Sequence, residues 1–452
     1  MKSINPATNE VLCEYIEYTR GEAAAITDQT HRAWLEWKET DFRHRTAAME
    51  KSACLIRGHK QELARLITLE MGKIFRESLS EVEKCAWVCE FYARNAEQFL
   101  AEEIIDTDAS ISYVVFQPLG VILAVMPWNF PFWQVFRFAA PALMAGNAAV
   151  LKHASNVPGC ALAIEDLFRT AGFPESLFRT LLVTSGEVKS LIRHPAVRAV
   201  TLTGSEPAGK EVAAEAGKQI KKTVLELGGS DPFIILDDCD LELTVKNAVS
   251  SRLVNQGQSC IAAKRFLVMQ PVLDEFIRRL KGAFHDLKMG DPLDQSTDIG
   301  PLARADLVDD LDRQVSASVS AGARLIAGGK RLAEKGNYYH PTILSEVRKG
   351  MPAFDEETFG PLLAIIPVQS EEEAIALAND SPFGLGGSIW TADTIRGERI
   401  ARRIESGSVF VNGMMKSDPR LPFGGIKRSG YGRELGSYGI REFVNIKTIW
   451  VK

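Results

Sequence analysis

The sequence has no C-x-x-C pair among its seven cysteines, which stand at 13, 54, 85, 89, 160, 239 and 260. A zinc ribbon and a thioredoxin-type site are therefore excluded, and reduced thiols in a cytoplasmic protein are the expectation. Cys85 and Cys89 stand four apart on a helical pattern, which reads as core packing, and no metal site is expected. The first residues, MKSINPATNE, have no apolar core and do not read as a signal peptide. Positive charge is not in excess: 53 Lys and Arg face 58 Asp and Glu, for a net charge of −5. That balance argues against nucleic acid or an anionic membrane as the main partner. Low-complexity linkers and internal repeats are absent. One stretch, 121–151, carries a single formal charge, Arg137, but prolines 127, 131 and 141 and three polar residues interrupt it. A central arginine would cost about 2.5–3.5 kcal/mol on insertion, so this stretch reads as a buried strand, a turn and a core helix.

What remains is an ordinary globular composition, 46% hydrophobic and 25% charged over 452 residues, long enough for two or three domains at roughly 100–200 residues each. Residues 21–105 carry apolar positions at helical spacing. The segments ISYVVFQ and VILAVMP, joined by PLG, predict a β-hairpin or strand pair. Strand and helix patterns then alternate through AAVLKH, PGCALAIEDLFRTAG, RTLLVTS and RAVTLTGS. A second such series runs from DPFIIL through KRFLVMQ, LAIIPVQ, FGLGGSIW and GSVFVNG. Alternation of this kind predicts parallel, doubly wound sheets. The two halves are expected to pack around a shared cleft.

Gly204 to Glu211 reads GSEPAGKE, close to a phosphate-binding P-loop but with Glu211 where a Mg²⁺-binding hydroxyl belongs. Because it follows a strand and opens a helix, a dinucleotide pyrophosphate suits it better than ATP hydrolysis. Four further segments stand out: Trp128-Asn129-Phe130-Pro131, Glu226-Leu227-Gly228-Gly229, Gly257-Gln258-Ser259-Cys260 and Glu357-Thr358-Phe359-Gly360-Pro361. In this order and spacing they resemble the aldehyde dehydrogenase superfamily over nearly the whole chain. LKHASNVPGCA, LELGGSDPF, GQSCIAAKRF and NGMMKSDPRLPFGG are most similar to the members that act on succinic semialdehyde.

The resemblance implies two doubly wound, Rossmann-like α/β domains and a small β oligomerisation element. Residues 1–106 and 120–228 would bind the cofactor, 229–429 would form the catalytic domain, and 107–119 with 430–452 would form the oligomerisation element. It further implies oxidation of an aldehyde by NADP, with NAD possible, through a cysteine thiohemiacetal and thioester. Cys260 would be the nucleophile, Glu226 the base for the deacylating water, and Asn129 an oxyanion donor. Trp128, Lys152, Ser155, Gly204, Ser205, Glu357 and Phe359 would contact the cofactor. Ser155 stands three residues after Lys152, where a glutamate often selects NAD; a serine there accommodates a 2′-phosphate.

Arg137, in so apolar a run, needs an anion from protein or ligand and is expected to bind the substrate carboxylate, with Ser417 as a second contact. Two departures from the pattern are Ser230, where many relatives have Lys, and Val254, where some have Arg. The expected partner is a small aldehyde, with no nucleic acid and no membrane, in a homodimer or homotetramer. The alternatives are oxidation of another aldehyde, such as glutarate semialdehyde or a betaine-type aldehyde, or a catalytically silent binding protein on the same fold.

Overall fold

The computed structural model describes residues 1–332 and 335–452. Four helices open the chain after a short hairpin of Lys2–Ile4 with Val11–Glu14: Arg20–Trp37, Phe42–Gly58, Lys60–Met71 and Phe75–Phe99. Thr19 and Glu22 close a capping box at the first, and Asp41 accepts from the His44 N–H at the second. Gly72, at φ 81°, ends the third in the left-handed region. Helix Phe75–Phe99 buries Val82, Cys85, Ala86, Val88, Cys89 and Tyr92 at helical spacing, which accounts for the cysteine pair as packing.

The first sheet has six strands, in the order Gly430–Tyr431, Lys222–Glu226, Val197–Thr203, Val121–Met126, Ala148–His153 and Phe178–Thr180. All neighbours are parallel except the short edge strand Gly430–Tyr431. Chain order runs outward from Val121–Met126 to one side and then returns to the other. The switch therefore falls between Val121–Met126 and Val197–Thr203, and a ligand crevice belongs outside the carboxyl ends of those two strands. Trp128 and Asn129 follow the first of them, Gly204 and Ser205 the second. The stretch 121–151 folds as strand, turn and buried helix Trp133–Met144, as its prolines and polar groups indicate. Among the described residues no helix is long and apolar enough to cross a membrane.

The second sheet has seven strands, with Arg324–Ala327 as its antiparallel edge. Its inner parallel strands are buried on both faces, so alternate residues enter different cores. Ile234, Leu267, Leu344 and Ile366 join one; Phe233, Ile235, Phe266 and Ile365 join the other.

Two expectations are corrected here. The 111–126 segment is no hairpin: Ile111–Pro118 pairs antiparallel with Val444–Val451, while Val121–Met126 enters the first sheet. Gly120, at φ 137°, turns the chain between them. The difference is one of burial, since Ile111–Pro118 is mostly half-exposed and Val121–Met126 almost wholly buried. The small sheet also takes in Glu103–Ile104. Residues 430–443, by contrast, serve the first sheet and its core, through Gly430–Tyr431 and buried Leu435, Ile440 and Phe443.

A buried ion pair ties the helices to this frame. Lys73 and Glu81, both buried, pair directly, and the Lys73 ammonium lies 3.7 Å from the Phe130 ring centroid. Glu81 Oε1 also accepts the N–H groups of Phe132 (2.9 Å) and Trp133 (3.0 Å) at the start of helix Trp133–Met144. Lys73→Met should cost about 3–5 kcal/mol by stranding a buried carboxylate. Lys73→Met with Glu81→Gln should cost less than the sum of the two single changes, as a double-mutant cycle of denaturant unfolding will show.

Candidate active site

Cys260 follows helix Leu241–Leu253 and a tight turn in which Asn255 (φ 51°), Gln256 (φ 54°) and Gly257 (φ 78°) are all left-handed. Each non-glycine residue there costs roughly 1–2 kcal/mol. At Gly257 a Cβ would overlap the Gly360 carbonyl, so glycine is required. Hydrogen bonds offset the strain: the Asn255 N–H donates to Glu77 Oε2 (2.8 Å), and its side-chain amide donates to the Asn129 (2.7 Å) and Gln258 (3.1 Å) carbonyls. Beyond the cysteine, the Lys264 ammonium donates to the carbonyls of Ser259 (3.0 Å), Cys260 (2.8 Å) and Ala262 (3.2 Å). Arg252 donates to the carbonyls of Ala263 and Thr358, each at 3.0 Å, joining the nucleophile loop to the Glu357 segment.

Cys260 opens onto two cavities. The first, of about 200 Å³, is lined by Lys84, Trp133, Arg137, Val254, Met415, Ser417 and Phe423 among others. The second is lined by Trp128, Asn129, Gly204, Ser205, Arg304, Glu357 and Phe359, drawn from the carboxyl ends of both sheets. A third hollow beside it contains Lys152, Ser185, Lys189 and Glu211. Every expected cofactor contact but one therefore lines this crevice; Ser155 is exposed and borders none of the three cavities.

Three observations fit a dinucleotide here. Lys152 is buried with no carboxylate within 4.0 Å among the described residues. Ser205 caps helix Glu206–Lys218 by position, yet its hydroxyl makes no capping bond. At Gly228 a Cβ would overlap the Glu357 carboxylate, which accepts the Gly229 N–H at 2.9 Å.

Asn129 is fixed from both sides: its amide N–H donates to the Gln258 carbonyl (3.0 Å), and its oxygen accepts from Gln134 (3.1 Å). One amide N–H remains for an oxyanion beside Cys260. Glu226, expected as the base for the deacylating water, does not reach a cavity wall. Its carboxyl is buried, without a hydrogen bond, and lines none of the three cavities. Only the glycine at 424 leaves room for it, since a Cβ there would come within 2.7 Å of Glu226 Oε1. Burial pushes Glu226 up to about 8, with Arg137 and Arg433 opposing and Glu434 adding to the rise. Burial likewise pushes the Cys260 thiol up to about 12, against the opposing charges of Arg137 and Lys264. The resting site is thus largely protonated.

Arg137 has a buried partner of its own. It lines the cavity with Cys260, but the anion its burial demands is Glu434, which pairs with its Nε. Its guanidinium also stacks 4.6 Å from the Phe423 ring centroid and donates to the Thr203 hydroxyl at 3.3 Å. Burial therefore no longer calls for a substrate carboxylate at Arg137. Ser417 does line the cavity, accepting from Lys84 and from the Trp133 indole. Lys84, Lys264, Arg252 and Glu434 were not legible as site residues. The only local sign was a lysine four residues past the nucleophile.

A cysteine at the junction of two cavities in a doubly wound crevice suits an enzyme that combines a dinucleotide with covalent chemistry. Residues 1–449 match the model of the aldehyde dehydrogenase family; the chain belongs to that family. It is 54% identical to a probable succinate-semialdehyde dehydrogenase [NADP(+)] of Synechocystis sp., over 99% of both chains. It is 48% identical to succinate-semialdehyde dehydrogenase [NADP(+)] 1 of Mycobacterium tuberculosis, again over 99% of each. The crystal structure of succinic semialdehyde dehydrogenase from Streptococcus pyogenes in complex with NADP+ superposes with a TM-score of 0.98 at 40% identity, covering 100% of this chain and 99% of that one. A betaine aldehyde dehydrogenase of Staphylococcus aureus superposes at 0.96 with 31% identity, covering 99% and 91%.

Cys260→Ala should abolish the first turnover, because no covalent adduct forms. Glu226→Gln should give a burst of reduced cofactor and then stall, and a normal steady state would remove Glu226 as the base. With its pKa raised, Glu226 ionises only as pH climbs through about 8, so steady-state turnover should rise over that range. A raised carboxyl pKa costs the folded state increasingly from the unfolded value upward. Glu226→Gln should therefore raise the melting midpoint more at pH 8.5 than at pH 5.

Proposed function

We propose that the chain oxidises succinic semialdehyde to succinate with NADP as the hydride acceptor, NAD being admitted less well. The observation that carries this reading is full-length identity of 54% and 48% to proteins named as NADP-dependent succinate-semialdehyde dehydrogenases. The shape of the fold alone does not separate this substrate from betaine aldehyde, as the 0.96 TM-score shows. The cavity bears on it chemically: Arg137, Glu77 and Glu81 in its lining are engaged by other protein groups, and Lys84 and Lys416, which also line it, disfavour a quaternary ammonium.

In this reading Lys152, Ser205, Glu357 and Phe359 hold the cofactor. When bound, its nicotinamide supplies the hydride acceptor. Arg137 and Lys264 favour the thiolate of Cys260, whose sulfur adds to the aldehyde carbon. The resulting oxyanion meets the free amide N–H of Asn129 and the backbone N–H of Cys260. Loss of hydride leaves a thioester on Cys260. Glu226 then turns from its buried position, takes a proton from water, and the hydroxide displaces the thiolate to give the carboxylate. Glu226 also distinguishes this chemistry from transfer of the acyl group to a thiol co-substrate.

Residues 103–118 and 444–451 are proposed as the assembly element of a cytoplasmic homodimer or homotetramer. Strand Val444–Val451 is a sheet edge with Ile446 64% and Trp450 48% exposed, and an apolar edge of that kind needs cover. With it, 1–102, 119–228 and 430–443 form the cofactor domain, and 229–429 the catalytic domain.

Two measurements test this reading. Initial rates on succinic semialdehyde, glutarate semialdehyde and betaine aldehyde should favour the first. Ser155→Glu should lower the NADP-to-NAD ratio of kcat/KM at least about tenfold, through repulsion of the 2′-phosphate. A parent enzyme that prefers NAD, or a ratio unmoved by the glutamate, removes Ser155 as the selector.

A further inference from the structure

Gln134 is buried in the first turn of helix Trp133–Met144, and its side chain borders both cavities, as Cys260 does. The direction of its amide is fixed by a chain of partners. The Gln258 carbonyl can only accept, so Asn129 turns its NH2 group to it, at 3.0 Å. The Asn129 oxygen then faces Gln134, whose own NH2 group donates to it at 3.1 Å. Gln134 Oε1 is left over. It is buried and has no hydrogen-bond partner among the described residues. A buried acceptor without a donor is destabilising, so its place at the junction points to a donor that arrives with the reaction.

Few species in the proposed reaction can be that donor. The aldehyde oxygen and a carboxylate only accept, and the Cys260 thiolate and its thioester have no proton to give. The water that cleaves the thioester has two O–H groups. One proton passes to Glu226; the other stays on the attacking oxygen and needs an acceptor while the new C–O bond forms. An amide oxygen suits this, because it orients the water without competing for the proton. The placement is also right. Arg137 stands one helical turn beyond Gln134 and donates to the Thr203 hydroxyl at 3.3 Å. Thr203 lines the second cavity with Gln134 and is paired in register with Glu226 on the next strand. The unpaired oxygen and the base are thus both neighbours of the Thr203 strand end.

We propose that Gln134 positions the deacylating water, its Oε1 accepting one O–H while Glu226 takes the other proton. One amide then holds the oxyanion donor Asn129 through its NH2 group and the attacking water through its oxygen. In this step the water oxygen bonds to the thioester carbon, the C–S bond breaks and Cys260 leaves as the thiolate. The retained proton is released afterwards from the acid product. The inference rests on the proposed oxidation through a Cys260 thioester and adds the group that aims the water.

The test follows the two half-reactions separately in the parent and in Gln134→Met, which keeps the side-chain volume. Rapid mixing with succinic semialdehyde and NADP gives the burst of reduced cofactor for acylation and the slower phase for hydrolysis. Mass spectrometry of the intact chain gives the fraction that carries an acyl group. The oxyanion donor serves both half-reactions, so an effect through Asn129 slows both alike, whereas water enters only the second. Gln134→Met should slow hydrolysis roughly tenfold more than the burst, the scale of one hydrogen bond, and acyl-enzyme should accumulate. Hydroxylamine, a nucleophile that needs no base to attack a thioester, should relieve the stall. Equal slowing of both steps, or of neither, would overturn the water role and leave Gln134 as a support for Asn129. The affinity for NADP, read by tryptophan fluorescence without aldehyde, should be unchanged. A loss of that affinity with hydrolysis intact would assign the oxygen to the cofactor and overturn the proposal too. A parent that forms no reduced cofactor from any of the aldehydes would instead overturn the proposed oxidation, and the water role with it.

Discussion

The carboxylate of Glu81 is the anchor on which the site depends. It faces Lys73 on one side and, on the other, takes the two backbone N–H groups that open helix Trp133–Met144. Those N–H groups have no partner inside their own helix, and the positive end of the helix dipole adds to the attraction. Asn129, Gln134 and Arg137 all lie on that helix or the turn before it. A bond between the N-terminal helices and a helix of the first sheet therefore sets where the oxyanion donor and the cavity cation stand. The left-handed turn at Asn255 is tied to the same helix, Phe75–Phe99, through Glu77. One helix thus fixes both the turn that carries Asn129 and the loop that carries Cys260.

Burial has a chemical consequence. A thiol pushed up to about 12 and a carboxyl up to about 8 are poor as nucleophile and base at rest. The buried cations compensate: Arg137 and Lys264 both favour the thiolate, and Arg137 also favours the Glu226 carboxylate. Lys264 further couples the two halves of the reaction, because it grips the Cys260 carbonyl at 2.8 Å and lies 3.8 Å from Glu357. A change in the charge environment of Glu357 is felt by the nucleophile through a single side chain. Holding reactive groups neutral until substrate and cofactor exclude water limits side reactions of a free thiolate.

Most of the sheet framework was legible because buried parallel strands read as short apolar runs between helical patterns, as in AAVLKH and DPFIIL. The segments that bring Cys260, Asn129, Gly204 and Gly228 to one cavity were legible through the spacing of their motifs. What sequence could not convey was pairing at a distance. Residues 111–118 and 121–126 each read correctly as strands, yet the first finds its partner at 444–451, more than three hundred residues on. Arg137 was recognised as needing an anion, but Glu434, which supplies it, lies in a glycine-rich tail with no local signal. Lys84, the one lysine of helix Phe75–Phe99, looks solvent-facing in sequence until the fold closes over it.

The division of the cleft explains how the two specificities are kept apart. The cofactor side is built from strand-end loops of both sheets, where Gly204, Gly228 and Glu357 meet. The substrate side is built largely by helix Phe75–Phe99, whose residues Glu77, Ser80, Glu81 and Lys84 line the cavity at helical spacing. Cys260 and Gln134 border both. Only the residues at the junction, held by Lys264, Arg252 and the strained turn before Cys260, must satisfy both demands at once. It is there that the structure accepts left-handed asparagine and glutamine and closely packed glycine.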